Sequence, residues 1–267
     1  LFIKFDDQKK LYNYMRNQLL ALVLLFTASA YSQSTTWIPI VIEDGMDTEY
    51  LAYEKNWMKI NQALIDAGYR TGWSVWKRTP KEGDDGWAQY YVVVGNNDQN
   101  QLSQDEWPSF IQDALGKNQR TVAKMMDSSG IVSEARPIQL SWVGGTVYAG
   151  PSIKPGDKMY FHYMTQQNDN FESLELNVWR PIAEDQIVEG IRKFWGLAKV
   201  TEKSENFPGD ATHVAFNIMN GDTFSQTQSS TPNWDYNTTQ LMNLVQNSRE
   251  MLEAEAVSYT HLTLPTS

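Results

Sequence analysis

Residues 57–73, WMKINQALIDAGYRTGW, return 122 positions later as residues 179–195, WRPIAEDQIVEGIRKFW. In both stretches the opening Trp is followed by Ile at +3, Ile at +8, Gly at +11, Arg at +13 and Trp at +16. Ile60 thus matches Ile182, Ile65 matches Ile187, Gly68 matches Gly190 and Arg70 matches Arg192. Identities at fixed offsets with no gap signal an internal duplication. That limits the fold more than composition does, because each half must be a unit that buries the same face.

Reading outward from the repeated stretch gives the order of elements. Residues 35–42 read as a strand, with Pro39 suited to an edge or a strand start because it has no N–H to donate. Tyr50, Tyr53, Trp57, Ile60 and Leu64 recur every three or four residues, the pattern of an amphipathic helix, and Gly68 ends it. Residues 70–80 and 87–96 alternate as strands around a turn. A second helix starts near Asp105, and residues 137–150 close the unit as a strand. The order is βαββαβ, the ferredoxin-like split βαβ unit.

A linker of turn-forming residues at 151–157 leads to the second copy, with strands at 158–165, 192–202 and 212–220 and helices around Trp179 and after Trp234. Pro181 should kink the first of these helices, since its ring clashes with the carbonyl four residues back. Glu54 stands three residues before Trp57 while Glu175 stands four before Trp179. One inserted residue near the kink accounts for that difference.

The ends read differently. Residues 15–32 combine Arg16, the apolar run LLALVLLF and a small-residue stretch, the layout of a secretory signal peptide, and the run is too short to span a bilayer. Residues 1–14 are then upstream translation. The last eleven residues, 257–267, are unrelated in pattern to what precedes them and are expected to be a foreign tail. Copy two is accordingly expected to be truncated, because counting from Trp234 puts its last strand near residue 265.

The chain has a net charge of −10 at pH 7, and setting the ends aside removes more basic than acidic residues. That balance disfavours nucleic acid and anionic lipid. With no cysteine, the protein must rest on packing, for which 10 Trp, 13 Tyr and 10 Phe supply bulk.

A βαββαβ unit with an E-x-x-W helix, a Gly stop and a G-W strand resembles the dimeric α/β-barrel superfamily. More closely, it resembles exported bacterial proteins that carry two such units in tandem. The resemblance covers residues 35–256. It implies two ferredoxin-like sheets facing each other as a barrel with helices outside, and a pocket between sheet and helix or inside the barrel. It also implies a W-x-P-I-H helix, and this chain has Asn61 and Ala183 at the His position.

Strand alternation sorts the candidate site residues. Tyr90, Val92 and Val94, matched with Val214, Phe216 and Ile218, are expected beneath the helices. The opposite face then carries Gln89, Tyr91 and Val93, matched with His213, Ala215 and Asn217, as a half-polar wall. It is either a lined cavity or a solvated face. Trp57, Trp73, Trp179 and Trp195 are either core or a ligand cage. Glu54 and Glu175 are general-base candidates if burial raises their pKa, or else partners of Arg70 and Arg192. Once the ends are set aside, the histidines left are His162 and His213. No metal-ligand spacing, nucleophile elbow or phosphate loop is present, so neither metal nor cofactor is expected.

The expected fold class is α+β: two tandem ferredoxin-like repeats, 35–150 and 158–256, forming a pseudo-dimeric α/β barrel with the second repeat truncated. The expected function is binding of a small, partly apolar molecule by Trp57, Asn61, Trp73, Gln89, Tyr91, Glu175, Trp179, Trp195, His213 and Asn217. One alternative is a cofactor-independent monooxygenase-like enzyme using Glu54, Tyr91, His162 and His213. Another is a cell-envelope interaction module, marked by a large exposed apolar patch. The chain is expected to be exported to the periplasm or outside the cell. It should be a monomer by internal pseudo-dimer, with no nucleic-acid partner and no membrane association once the leader is removed.

Overall fold

The computed structural model describes residues 34–81, 87–150, 153, 157–220, 234–252 and 254–264, the last four as backbone alone. The leader expected at 15–32, the residues before it and most of the linker at 151–157 lie outside the described residues. The first repeat runs β1 (Ser34–Ile42), α1 (Asp47–Asp66), β2 (Arg70–Arg78), β3 (Tyr90–Asn96), α2 (Trp107–Leu115), α3 (Gln119–Met125), β4 (Val132–Ala135) and β5 (Ile138–Gly145). The second opens with β6 (Lys158–Gln166), α4 (Phe171–Leu174), a π-helical turn (Glu175–Trp179) and α5 (Arg180–Val188). It continues with β7 (Arg192–Lys203), β8 (His213–Met219), α6 (Tyr236–Asn247), β9 (Arg249–Met251) and β10 (Glu255–Leu264). No described helix is long and apolar enough to cross a membrane.

Both repeats have the expected βαββαβ order, each with a short extra strand, β4 or β9, before its last one. Within a repeat the fourth strand lies beside the first, giving β5-β1-β3-β2 and β10-β6-β8-β7. Two further antiparallel pairings, β5 with β7 and β10 with β2, join the halves. The ring therefore closes, and among the described residues no long sheet edge is left open between the two repeats. β5 bulges between Trp142 and Gly144, where the Gly144-Gly145 pair allows the bend.

Gly68 and Gly190 terminate α1 and α5 in the same way. Both have left-handed φ, +76° and +74°, which a side chain would strain. Each N–H returns to the carbonyl of Ile65 or Ile187, and the next residue's N–H returns one position further back, to Leu64 or Gln186. Asn97 and Asn220 then donate from Nδ2 to the carbonyl oxygens of Gly68 and Gly190, at 2.8 and 2.9 Å. The Arg after each turn starts a strand that bulges at once, at Arg70–Gly72 and Arg192–Phe194.

The repeats differ where an inserted residue was expected. The extra residue between Glu175 and Trp179 is taken up as a π-helical turn, and Pro181 follows in the first turn of α5. A π-turn adds one residue without rotating the helix past its neighbours, so Glu175 and Trp179 both still face the sheet.

Packing divides into three regions. The barrel interior is filled by side chains from all eight ring strands, around Trp37, Tyr91, Phe161, Tyr163 and Phe216. Trp37 packs against Tyr91, Phe161 and Phe216 at 5.1, 5.0 and 5.3 Å between ring centres. It also donates from Nε1 to Tyr163 Oη at 3.1 Å. Trp73, Tyr90, Val92 and Val94 pack under α1, and Trp195, Leu197 and Ala215 pack under α4–α5.

Two expectations need correction. The second repeat has its fourth strand: β10 occupies the place expected to be empty and is drawn largely from residues 257–264, which were assigned to a foreign tail. It pairs with β6 at Glu255–Ser258 and with β2 from Val257 to Leu264, and Val257 is fully buried in the interior. The face assignment of β8 is also reversed. Val214, Phe216 and Ile218 point into the barrel, while His213, Ala215 and Asn217 lie on the helix side. A one-residue slip exchanges the faces of a strand. Residues 90–94 are apolar throughout, so they could not set the parity of their counterpart.

Candidate functional site

Strand pairing fixes which residues of the two halves are equivalent. Trp73 lies opposite Val94 and Trp195 opposite Asn217; Lys77 lies opposite Tyr90 and Lys199 opposite His213. In step with these, Ile40 lies opposite Tyr90 and Met164 opposite His213. On the short extra strands, Val132 lies opposite Ile42 and Arg249 opposite Gln166. Ile38 thus corresponds to His162, Val94 to Asn217, Val132 to Arg249 and Ala135 to Met251.

Each half holds a pocket between sheet and helix at equivalent positions. In the first repeat it measures about 250 Å³ and is walled by Ile38, Ile40, Trp57, Trp73, Val92, Val94 and Val132, with Glu54, Asn61 and Arg70 as its charged and amide groups. The second measures about 160 Å³ and includes His162, Trp179, Arg192, Trp195, Asn217 and Arg249. Larger side chains account for the difference: where the first pocket has Val132 and Ala135, the second has Arg249 and Met251.

Glu54 and Glu175 project from the same helical face and are both buried. Glu175 is bridged, because Arg249 donates from Nη1 to its Oε1. Glu54 makes no ion pair among the described residues. Burial raises its carboxyl to about 7, against a smaller downward pull from the Tyr50 hydroxyl. That hydroxyl is buried beside Glu54, and burial, the carboxylate charge and its interaction with the carboxylate all raise its pKa. Glu175 is also raised by burial, with Arg249 opposing the rise.

The expected pairing of these glutamates with Arg70 and Arg192 is not what forms. Arg70 donates from Nη1 to Asn61 Oδ1 on α1. Arg192 donates from Nη1 to Asn217 Oδ1 on β8 and from Nε to Gln186 Oε1 at 3.0 Å. Burial lowers both guanidiniums to about 10. One Asn serves each Arg, from the helix in the first repeat and from the strand in the second, while the vacated positions hold Ala183 and Val94. Arg70 also borders a polar groove of about 460 Å³ on its outer side, beside Tyr69, Asn97 and Trp107.

Glu54, Trp57, Asn61 and Trp73 come together in the first pocket, and His162, Trp179, Trp195 and Asn217 in the second, with Glu175 behind Arg249. Three expected residues lie elsewhere. Tyr91 is buried in the barrel interior, where its hydroxyl accepts from Trp87 Nε1 at 3.0 Å. Gln89 is spent on the backbone, accepting from the Ile42 N–H at 3.0 Å. His213 is sealed under α4 against Phe171, with Nε2 3.1 Å from Glu172 Oε1 and Nδ1 2.9 Å from Thr212 Oγ1. Burial lowers the His213 pKa, with Glu172 opposing. His162 is lowered by burial too, and its Nδ1 lies 3.2 Å from the Leu252 carbonyl.

Tyr50, Val132 and Arg249 were missed in the sequence. Tyr50 was legible only as part of an apolar stripe, and Arg249 lies on a three-residue strand with no motif around it.

No family model matches the chain, and no curated sequence does. Solved structures do match its shape. A protein from Lactobacillus acidophilus named for a proposed monooxygenase activity aligns at 10% identity with a TM-score of 0.53, covering 85% of this chain and 94% of its own. An anthrone oxidase-like protein aligns at 10% identity with a TM-score of 0.52, covering 88% and 93%. At such identity the likeness concerns the fold.

Proposed function

Taking as premise a chain with the dimeric α/β-barrel fold and both halves in one polypeptide, we propose that it binds a small, partly apolar molecule in the first repeat's pocket, between α1 and the sheet. The observation that carries this reading is the open, aromatic-walled cavity holding a buried Glu54 with no ion partner among the described residues, beside a second copy whose glutamate is bridged. Buried charges are ordinarily paired, and an exception at a cavity marks a place where a ligand completes the pairing or where a proton is exchanged. Trp57 and Trp73 supply the apolar walls, and Asn61 with Arg70 the polar end.

Tryptophan fluorescence of the full chain, titrated with a panel of small aromatic molecules, tests it. Saturable quenching that disappears in Trp57→Ala and survives in Trp179→Ala is expected. Loss in both variants alike, or no saturable ligand at all, would sink the reading.

One observation favours a second reading, a cofactor-independent oxidation. A carboxyl titrating near 7 is poised to take a proton from an activated substrate, with dioxygen as the oxidant. The two structures of similar fold are named for a monooxygenase and an anthrone oxidase. Oxygen uptake with anthrone as probe, abolished in Glu54→Gln, would support it; unchanged uptake in that variant would remove Glu54 from the role. Export by way of residues 15–32 belongs to the same proposal, and mass spectrometry of the mature N-terminus checks it.

A further inference from the structure

The bridged pocket indicates what the open one is shaped to receive. In the second repeat a guanidinium, Arg249, enters from β9, bonds to Glu175 and lies 5.8 Å from the centre of the Trp179 ring. In the first repeat the equivalent carboxylate, Glu54, and the equivalent ring, Trp57, both line the pocket, while the position that sends in the guanidinium holds Val132. The first pocket therefore keeps the acceptor half of a cation site and lacks the arginine that pairs with it in the second, its own Arg70 being bonded to Asn61. It also keeps one polar group the second does not: Tyr50, whose counterpart is Phe171, has a buried hydroxyl beside Glu54.

We propose that the first repeat's pocket takes a small organic cation, a protonated amine or guanidine on an apolar body, held by Glu54 and the face of Trp57. This rests on the reading of that pocket as the ligand site. A carboxylate supplies a charge-assisted hydrogen bond and an indole face attracts the cation, and the two are strongest together where water is excluded. Arg70 does not bar a second positive charge. Its counterpart Arg192 lies 6.0 Å from the same Trp179 ring that Arg249 approaches, so two guanidiniums share that site already.

The test is a calorimetric titration of the full chain at pH 8 with phenylguanidinium and benzylammonium, against the neutral benzyl alcohol. The cations are expected to bind with one site per chain, about tenfold or more tighter than the alcohol. Glu54→Gln should erase that preference. Val132→Arg, which gives the first pocket the arginine of the second, should block the cations altogether. If that variant fails to fold, the Glu54→Gln comparison still decides. Equal binding of the alcohol and the cations, or a preference untouched by Glu54→Gln, would overturn the cation assignment while leaving the pocket as a ligand site. If none of the three probes binds, the cation assignment falls, and the fluorescence panel decides separately whether any ligand site remains.

Discussion

The two pockets were built from one template and ended with different charge pairing. Both place a glutamate on the helix, a Trp beside it and an arginine at the start of the second strand. In the second repeat Arg249 closes the carboxylate into a pair and Met251 fills space; in the first, Val132 and Ala135 leave the carboxylate with no ion partner among the described residues, in an open cavity. A duplication lets one copy settle into structure while the other stays available. The difference in pairing of the glutamates lies in one side chain on a short strand, Val132 or Arg249, rather than in the repeated motif.

Removing the bridge tests this comparison hardest. Arg249→Val copies the first repeat into the second and leaves Glu175 buried without a partner. It is expected to cost about 3–5 kcal/mol, measured by chemical unfolding at pH 7. A loss under ~1 kcal/mol would mean the pair is not what holds the second pocket.

The first pocket should respond in the opposite direction. Glu54 has a folded pKa of about 7 against an ordinary 4.5, so the folded state holds the proton more tightly than the unfolded chain. Its contribution to stability is complete below about pH 4.5 and is lost as the pH rises through about 7. Glu54→Gln removes that loss and should stabilise the protein at pH 8 by roughly 2–3 kcal/mol, with little effect at pH 4. A variant less stable than the parent at pH 8 would contradict an unpaired Glu54.

The arginine anchors give an intermediate effect. Asn61→Ala leaves Arg70 short of its amide and should cost about 1–3 kcal/mol. Adding Val94→Asn, the arrangement of the second repeat, should recover most of that. Failure of the double variant to recover would show that the two anchors are not interchangeable. The smallest expected effects are those of Gly68→Ala and Gly190→Ala. Each should cost roughly 1–2 kcal/mol in thermal unfolding, and by similar amounts, because the two turns have the same left-handed geometry.

Much of the fold was legible, and particular residues show why. Trp57, Gly68, Arg70 and Trp73 sit at fixed spacing and recur, and a period of 3.6 or 2 survives in a linear chain. The four-residue spacing from Glu175 to Trp179 revealed the extra residue that the π-turn absorbs. The site was half legible: Glu54 and Asn61 lie on the repeated helix, but the partner of Glu175 is 74 residues away from it on a strand too short to show a pattern. Tyr91 was on the expected face of β3, but that face looks into a filled interior; Gln89 is held by the Ile42 N–H, and only His213 was misplaced by the parity of β8.

What the sequence determined by itself was the duplicated unit, its βαββαβ order and the helix stops, all products of local spacing and backbone preference. Only the tertiary structure decided that β10 closes the ring, which face of β8 looks inward and which glutamate acquires an arginine. Those outcomes depend on pairings between distant segments. A carboxylate's charge state follows from what is folded against it, and residues adjacent in the chain do not report that.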